Sequence, residues 1–271
     1  MLSKEVWSHL NFAPPGGGKS YFGWSASKAG QRVYHIDLLN EADVPKYPKG
    51  STLVRLIEEC GGDQDQAFNL FASYVTQMRQ AVADKKFPYD LVIVDSIDTL
   101  QLYGNAPSIA DEKERARDSS KIDDEILSPA GYGRLYLKVV GQLIGVLSLG
   151  VSLYVTSLPG FLPDPSKPKL RDPKTGDMVY TQIRPALVGK LGQTVEKFFS
   201  LVTYQVHDPV GGKEHRMYLE EGGEIPGIKV KNRYNAKLIE AGADPLPAYV
   251  DCPTWGELVV PTLKALNKEK N

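Results

Sequence analysis

The stretch Ala13-Pro14-Pro15-Gly16-Gly17-Gly18-Lys19-Ser20 constrains this chain more than any other part of its sequence. It follows a short apolar segment, Leu10 to Ala13, that predicts a strand, and it precedes Ser20 to Ala29, which predicts a helix. Three consecutive glycines let backbone N–H groups converge on an anion without Cβ clashes, and the amino end of the next helix adds positive charge. This order of strand, loop and helix predicts a phosphate-binding loop.

The side chains of this loop suit a nucleoside triphosphate such as ATP together with Mg²⁺. Lys19 is expected to reach the β- and γ-phosphates, and the hydroxyl of Ser20 is expected to hold the metal ion. The usual pattern begins with glycine, and Ala13 can replace it if the backbone there is not left-handed. The residues predicted to contact the nucleotide are Pro15, Gly16, Gly17, Gly18, Lys19, Ser20 and Tyr21.

An acidic residue at the end of a predicted strand supports the prediction of a phosphate-binding loop. The run Leu91 to Asp95 (LVIVD) is apolar and β-branched, which predicts a strand covered on both faces and ending in a carboxylate. In an open parallel sheet this strand end lies in the same crevice as the loop, so Asp95 is the predicted partner of Ser20 at Mg²⁺.

The rest of the pattern predicts an α/β fold with a mostly parallel central sheet and flanking helices. Further strands are expected at Arg32 to Asp37, Val151 to Thr156 and Phe198 to Val206, and helices at Asp65 to Asp84 and Arg134 to Ser148.

After Gln205 the pattern changes to an antiparallel extension, with short strands at His215 to Leu219 and Ile228 to Val230. We expect one domain over residues 1–271, with a core of about 8–237 and a C-terminal tail of 238–271 that is punctuated by proline from Pro245 to Pro261. Asp111 to Glu125, in which eleven of fifteen residues are charged, is interpreted as a solvated surface segment.

Hydrolysis of the γ-phosphate needs a carboxylate that orients the attacking water. Either Glu41 or Asp37, at the end of the strand Arg32 to Asp37, could supply it, and each could also be a polar residue that closes the strand. His35 on the same strand is more typical of a hydrogen-bonded core histidine than of a catalyst.

Net charge, cysteine spacing and the lengths of apolar segments predict the cellular compartment and the kinds of partner. The formal charge is −1, so a polyanionic partner has to be met by a local basic patch. The two cysteines have no metal or disulfide spacing, no signal peptide is apparent, and Leu143 to Tyr154 is too short to span a bilayer. We therefore expect a cytoplasmic protein with no membrane partner.

Two basic segments fit anionic partners. Pro226 to Lys237 contains four basic residues and no acidic one, and its alternation places Lys229 and Lys231, continued by Arg233, on one face of a strand. Such a face is either solvated or able to neutralise a transferred phosphoryl group that a neighbouring subunit presents. The second segment, Asp164 to Lys190, has a local charge of +3.

The order of APPGGGKS, RVYHID, LVIVDSID and GIKVKNRY resembles the phage nucleotide-binding proteins of the RecA-like class of P-loop NTPases, over roughly Leu10 to Tyr234. These include ATPases of single-strand annealing and recombination and are related to the cores of RecA and RadA. The segment Lys229 to Tyr234 is similar to the KNRFG-type motif of RadA. The resemblance implies a homo-oligomer in which Lys229, Lys231 and Arg233 act in trans on the γ-phosphate of a neighbour.

In RecA-like relatives the loops after the fourth strand hold single-stranded DNA, and the resemblance implies the same use here. The implied DNA-binding residues are Lys167, Lys169, Arg171, Lys174 and Arg184. A single-strand-binding protein is a further implied partner. Two alternatives stay open: a nucleotide-binding accessory or loader protein that does not hydrolyse ATP, and a small-molecule kinase on the same core.

Overall fold

Parallel strands form the centre of the computed structural model, which describes residues 5–123, 125–163, 180–207, 215–221, 225 and 227–268. From one edge inward the parallel strands are β3 (Thr52–Arg55), β2 (Val33–Asp37), β4 (Leu91–Asp95), β5 (Ser152–Ser157), β1 (Ser8–Phe12) and β8 (Leu201–His207). Because β1 lies beside β5 and β5 beside β4, the carboxyl ends of these strands meet at one edge of the sheet.

Antiparallel strands extend the sheet beyond β8. They are β9 (His215–Tyr218), β10 (Lys231–Asn232) and β11 (Tyr249–Asp251), while β6 (Pro159–Pro163) and β7 (Tyr180–Pro185) form a separate antiparallel hairpin. The predicted α/β class, with a mostly parallel sheet and an antiparallel extension, is confirmed. The strand predicted at Ile228 to Val230 is wrong in detail: Ile228 forms a single parallel bridge to Ile183, and β10 follows it.

The helices of the described residues flank this sheet. They are α1 (Lys19–Lys28), α2 (Leu56–Glu59), α3 (Gln64–Ala83), α4 (Ile97–Tyr103), α5 (Asn105–Arg115), α6 (Pro129–Leu147), α7 (Gly189–Thr194), α8 (Tyr234–Glu240) and α9 (Trp255–Asn267). The start of α3 is set by Asp63, whose side chain accepts hydrogen bonds from the first-turn N–H groups of Asp65 and Gln66.

Strand β4 shows how the two faces of the sheet are covered. Val92 and Val94 belong to a buried cluster with apolar residues of α3 and α6, whereas Leu91 and Ile93 belong to a second cluster with residues of α1 and α9. All four side chains are fully buried. The sheet is therefore the middle of three layers, which confirms the expectation from its continuous apolar sequence.

Helix α9 corrects the prediction of a C-terminal tail. Trp255 at its start is 1% exposed and packs against Phe22 of α1 and Trp7. Its backbone N–H donates to Ser25 Oγ over 2.8 Å. The prolines of this segment suggested an irregular tail, but Pro261 lies inside the helix, and the buried residues of α9 recur at helical spacing. The segment completes the core on the α1 side of the sheet.

The charged segment from Asp111 to Glu125 is only partly solvated. Its first five residues belong to α5, and Glu112 there is 5% exposed and accepts a hydrogen bond from Arg134 of α6 over 2.6 Å. The ion pair therefore fixes α5 against α6.

The apolar stretch Leu143 to Tyr154, which its sequence predicts to be a buried helix running into a buried strand, is only partly buried. Every residue of β5 is buried, but α6 buries Leu143 and Val146 and leaves Ile144 50% exposed. Helix α6 ends at Leu147, and β5 begins at Ser152. Among the described residues, no helix combines the length and the apolar character that crossing a bilayer requires.

His9 on β1 makes stability depend on pH. It is fully buried, with Nε2 2.7 Å from the Thr203 hydroxyl, and burial lowers the pKa of His9 to about 3 from 6.5. Between these values the unfolded chain binds one proton more than the folded chain, so stability falls as pH falls, by ~1.4 kcal/mol per pH unit. Replacing His9 with Gln should remove this contribution to the slope of unfolding free energy against pH, measured by urea titration. Equal slopes in both proteins would contradict it.

Candidate functional site

The glycine loop between β1 and α1 is shaped by close contacts. Gly18, with φ +84°, immediately precedes α1, and a Cβ there would lie 2.9 Å from Gln205 Nε2 and 3.2 Å from the His215 ring. A Cβ on Gly17 would lie 2.7 Å from the Cβ of Ala13. Only glycine fits these two positions without displacing a neighbour. The pattern of glycines indicated the loop, but the packing of Gln205 and His215 against it was missed.

Ala13 departs from the usual pattern without strain. It is fully buried, and its backbone is not among the left-handed non-glycine residues of the described chain, which are Asn40, Lys85 and Cys252. A Cβ is therefore tolerated at this position.

Lys19 is the first residue of α1, and its side chain reaches back to the start of the loop. Its Nζ donates to the carbonyl oxygens of Ala13 over 2.7 Å and Pro14 over 3.2 Å. Burial lowers the pKa of Lys19, and the negative charges of Asp95, Asp98 and Glu41 oppose that shift. The ammonium is thus partly desolvated and surrounded by acceptors that an anion can replace.

Ser20 and Asp95 meet as the sequence predicts. Ser20 Oγ donates to Asp95 Oδ2 over 2.6 Å, and the hydroxyl of Thr156 on β5 donates to the other oxygen. Burial by itself raises the pKa of Asp95, but His35, Ser20 and Thr156 outweigh it and lower the pKa to about 2. The carboxylate is therefore ionised at neutral pH, and one of its oxygens accepts a hydrogen bond from the Ser20 hydroxyl.

The two carboxylates proposed to orient water differ in their surroundings. Asp37 is 1% exposed, and its two oxygens accept from the backbone N–H groups of Glu41 over 3.3 Å and Ala42 over 3.0 Å. Asp37 thus closes the turn after β2. Glu41 is exposed and lines the cleft beside the loop, so the geometry favours Glu41 for the role in water positioning.

This cleft has a volume of about 280 Å³. Its lining residues are Gly16, Gly17, Gly18, Lys19, Ser20, Tyr21, Glu41 and Asp43. Tyr21 is 52% exposed, and its ring lies 5.4 Å from that of Trp24. Pro15 is exposed in the loop and does not line the cleft. The structure therefore brings together all the residues predicted to contact the nucleotide except Pro15.

The basic residues of the segment Pro226 to Lys237 differ in their surroundings. Lys229 Nζ lies 3.2 Å from Glu221, and Lys231 Nζ donates to the carbonyl oxygens of Glu196 and Phe199 over 2.6 Å each. Burial, followed by the charge of Arg233, lowers the pKa of Lys231 to about 8. Lys231 thus secures the turn before β8, and Arg233 is exposed.

Arg184 is the one predicted DNA-binding residue whose structure can be described. It lies on β7, is half-buried, and its Nε is buried and makes no hydrogen bond within the described part of the chain. Lys167, Lys169, Arg171 and Lys174 lie outside the described residues. On β6, Phe161 is 56% exposed.

Helix α4, which follows Asp95, holds both ends of the β6–β7 hairpin. Asp98 Oδ1 accepts from the backbone N–H of Leu158 over 3.1 Å. The Gln101 side chain donates to the carbonyl of Val188 over 3.1 Å and accepts from its N–H over 3.0 Å. No sequence pattern around Asp98 or Gln101 indicates these partners, which lie far away along the chain. The contacts tie the hairpin to the helix that starts two residues after the predicted metal ligand Asp95.

Replacing Gln101 with Ala should loosen the hairpin base. Two partly buried hydrogen bonds to Val188 would be lost, each worth about 1 kcal/mol, so backbone amides at Leu158 and Val188 should exchange with solvent about 10- to 30-fold faster. Hydrogen exchange followed by mass spectrometry measures this. Leu102→Ala, on the exposed side of the same helix, is the control. Equal exchange in all three proteins would show that Gln101 does not hold the base of the hairpin.

No family model matches the chain, and no curated protein matches it. Among solved structures, the fold is similar to that of a KaiC-like protein from the hyperthermophilic archaeon Pyrococcus horikoshii OT3, at 12% identity and a TM-score of 0.39, covering 82% of this chain and 84% of that one. It is also similar to the RadB recombinase, at 13% identity and a TM-score of 0.36, with the same coverage.

Proposed function

We propose that this chain binds ATP with Mg²⁺ at the glycine loop and hydrolyses it. The observation that carries the proposal is the 2.6 Å hydrogen bond between Ser20 Oγ and Asp95 Oδ2, made beside a loop that only glycine can build. A hydroxyl and an ionised carboxylate are the hard oxygen ligands that Mg²⁺ takes from proteins when phosphate oxygens and water supply the rest. The donor set therefore fits the metal.

The roles of the other residues follow from their contacts. Lys19 would exchange the carbonyls of Ala13 and Pro14 for phosphate oxygens, and the N–H groups at the start of α1 would add further donors. Bound Mg²⁺ would neutralise charge on the β- and γ-phosphates. Glu41 would orient a water whose oxygen forms the new bond to the γ-phosphorus while the bond to the β–γ bridging oxygen breaks, and the water's proton passes to the carboxylate or to solvent.

We further propose that the protein acts as a homo-oligomer on single-stranded DNA, in recombination, annealing or replication. Of the three basic residues Lys229, Lys231 and Arg233, we propose exposed Arg233 as the one that reaches a neighbour's nucleotide, because the other two are engaged within their own chain. Phe161 on the hairpin offers an exposed ring on which a base can stack, and in the sequence it precedes the basic segment Asp164 to Lys190.

A nucleotide-binding accessory or loader protein that does not hydrolyse ATP is the second candidate. Of the two carboxylates predicted to orient water, Asp37 has both oxygens engaged by backbone N–H groups. Only Glu41 of that pair is then available to a water, and this favours the second candidate.

A turnover assay separates these functions. Purified protein with Mg·ATP should release inorganic phosphate into water, and single-stranded DNA should change the rate. Asp95→Asn should abolish release. Binding of ATP without phosphate release would establish the accessory function, and phosphate transfer that requires an added acceptor would establish a kinase. Failure to bind ATP at all would overturn the proposal.

A further inference from the structure

His35 on β2 is fully buried between two polar groups. Its Nδ1 lies 2.9 Å from the Tyr47 hydroxyl, and its Nε2 lies 3.6 Å from Asp95 Oδ2. Nε2 makes no hydrogen bond within the described residues. A buried imidazole nitrogen without a hydrogen bond is costly, and this one faces the carboxylate predicted to hold a metal ion.

The sheet places His35 there. Strands β2 and β4 are parallel neighbours, and their register pairs His35 with Ile93 and Asp37 with Asp95. Side chains two residues apart on a strand share a face, so His35 and Asp95 are diagonal neighbours on the face that α1 covers. Ser20 reaches Asp95 from α1.

We infer that His35 is a positioning residue for Asp95: its Nε2–H orients the carboxylate for the metal, and Tyr47 fixes the required tautomer by donating to Nδ1. The inference rests on the proposed function. Burial, followed by the charges of Asp95 and Asp37, raises the pKa of Tyr47, so its hydroxyl keeps the proton it donates. A neutral imidazole that accepts at Nδ1 must carry its own proton at Nε2, where the carboxylate lies.

The role of His35 grows when a metal binds. A metal shared by Ser20 and Asp95 would replace their direct hydrogen bond. The orientation of the carboxylate would then depend on Thr156 and His35. Partners that orient a metal ligand in this way commonly change metal affinity about 10- to 100-fold when they are removed.

Tyr47 connects this arrangement to the cleft. It belongs to the segment between β2 and β3 that also carries Glu41 and Asp43, two residues of the cleft wall. The residue that contacts His35 Nδ1 thus belongs to the same segment as two residues of the cleft where the nucleotide is proposed to bind.

The test measures the Mg²⁺ requirement for binding of mant-ATP, a fluorescent ATP analogue, with its affinity in EDTA as the metal-free reference. His35→Leu should raise the half-saturating Mg²⁺ concentration about tenfold and leave the metal-free affinity within about twofold. His35→Gln, whose amide can donate from near the Nε2 position, should recover the Mg²⁺ requirement to within about threefold, and Tyr47→Phe should lie between wild type and His35→Leu.

The outcomes are distinguishable. Wild-type protein that binds no mant-ATP with Mg²⁺ would refute the proposed function. Wild-type binding with an unchanged Mg²⁺ requirement in folded His35→Leu, or no recovery in His35→Gln, would overturn the inference alone. If His35→Leu does not fold, His35→Asn supplies the comparison, because its shorter amide can reach Tyr47 but not Asp95, and it should then require more Mg²⁺ than His35→Gln.

Discussion

Replacing Lys19 with Ala should weaken ATP binding by about 100-fold. The change removes a partly desolvated ammonium that now bonds the carbonyl oxygens of Ala13 and Pro14 and that has no substitute within the loop. Charge-assisted hydrogen bonds to phosphate are strong in such a setting because water competes poorly for them. Isothermal titration calorimetry with Mg·ATP measures the loss.

Lys28→Ala is the matched control. Lys28 is on the same helix, but it is exposed in the last turn and its Nζ lies over the Trp24 ring. The control should bind ATP within about twofold of wild type, as surface substitutions usually do. ATP binding by Lys19→Ala that matches the control would mean that the loop does not hold the triphosphate.

Truncating Trp255 to Ala should destabilise the fold by ~3 to 5 kcal/mol. The indole is 1% exposed among the rings of Trp7, Phe22 and Tyr154, so its removal leaves a cavity between α9, α1 and the sheet. Urea denaturation followed by circular dichroism gives the free energy of unfolding. The backbone hydrogen bond to Ser25 is kept in the variant, which isolates the packing contribution.

Lys264→Ala, on the exposed side of α9, controls for the helix itself and should change stability by less than ~0.5 kcal/mol. A loss below ~1 kcal/mol in Trp255→Ala would show that the last helix adds little to the core, as the interpretation of a proline-punctuated tail implies.

Local pattern was enough for much of the sheet and for the glycine loop. Strand β4 matches Leu91 to Asp95 residue for residue, because a β-branched apolar run has few other stable states than a buried strand. Helix α3 differs from its prediction by one residue at each end, since its apolar period and the Asp63 cap are both local signals. Helix α9 was missed because proline signals outweighed its apolar period.

The candidate site was predictable where its chemistry is written in consecutive residues. Lys19, Ser20 and the glycines of the proposed phosphate-binding loop lie in one short motif, and Asp95 ends a strand whose apolar, β-branched sequence predicts it. The choice between Glu41 and Asp37 depended on the tertiary structure, because only the structure shows that backbone N–H groups occupy both oxygens of Asp37. The engagement of Lys231 with the turn before β8 also required them.

The sequence alone thus predicted the class of fold and the glycine loop that is proposed to bind phosphate, because residue periodicity and glycine content are local signals. The placement of His35 against Asp95 and the Gln101 contact with Val188, 87 residues away, arose from strand register and helix packing. Such contacts gain their free energy only after distant segments have been brought together and desolvated, so no local pattern encodes them.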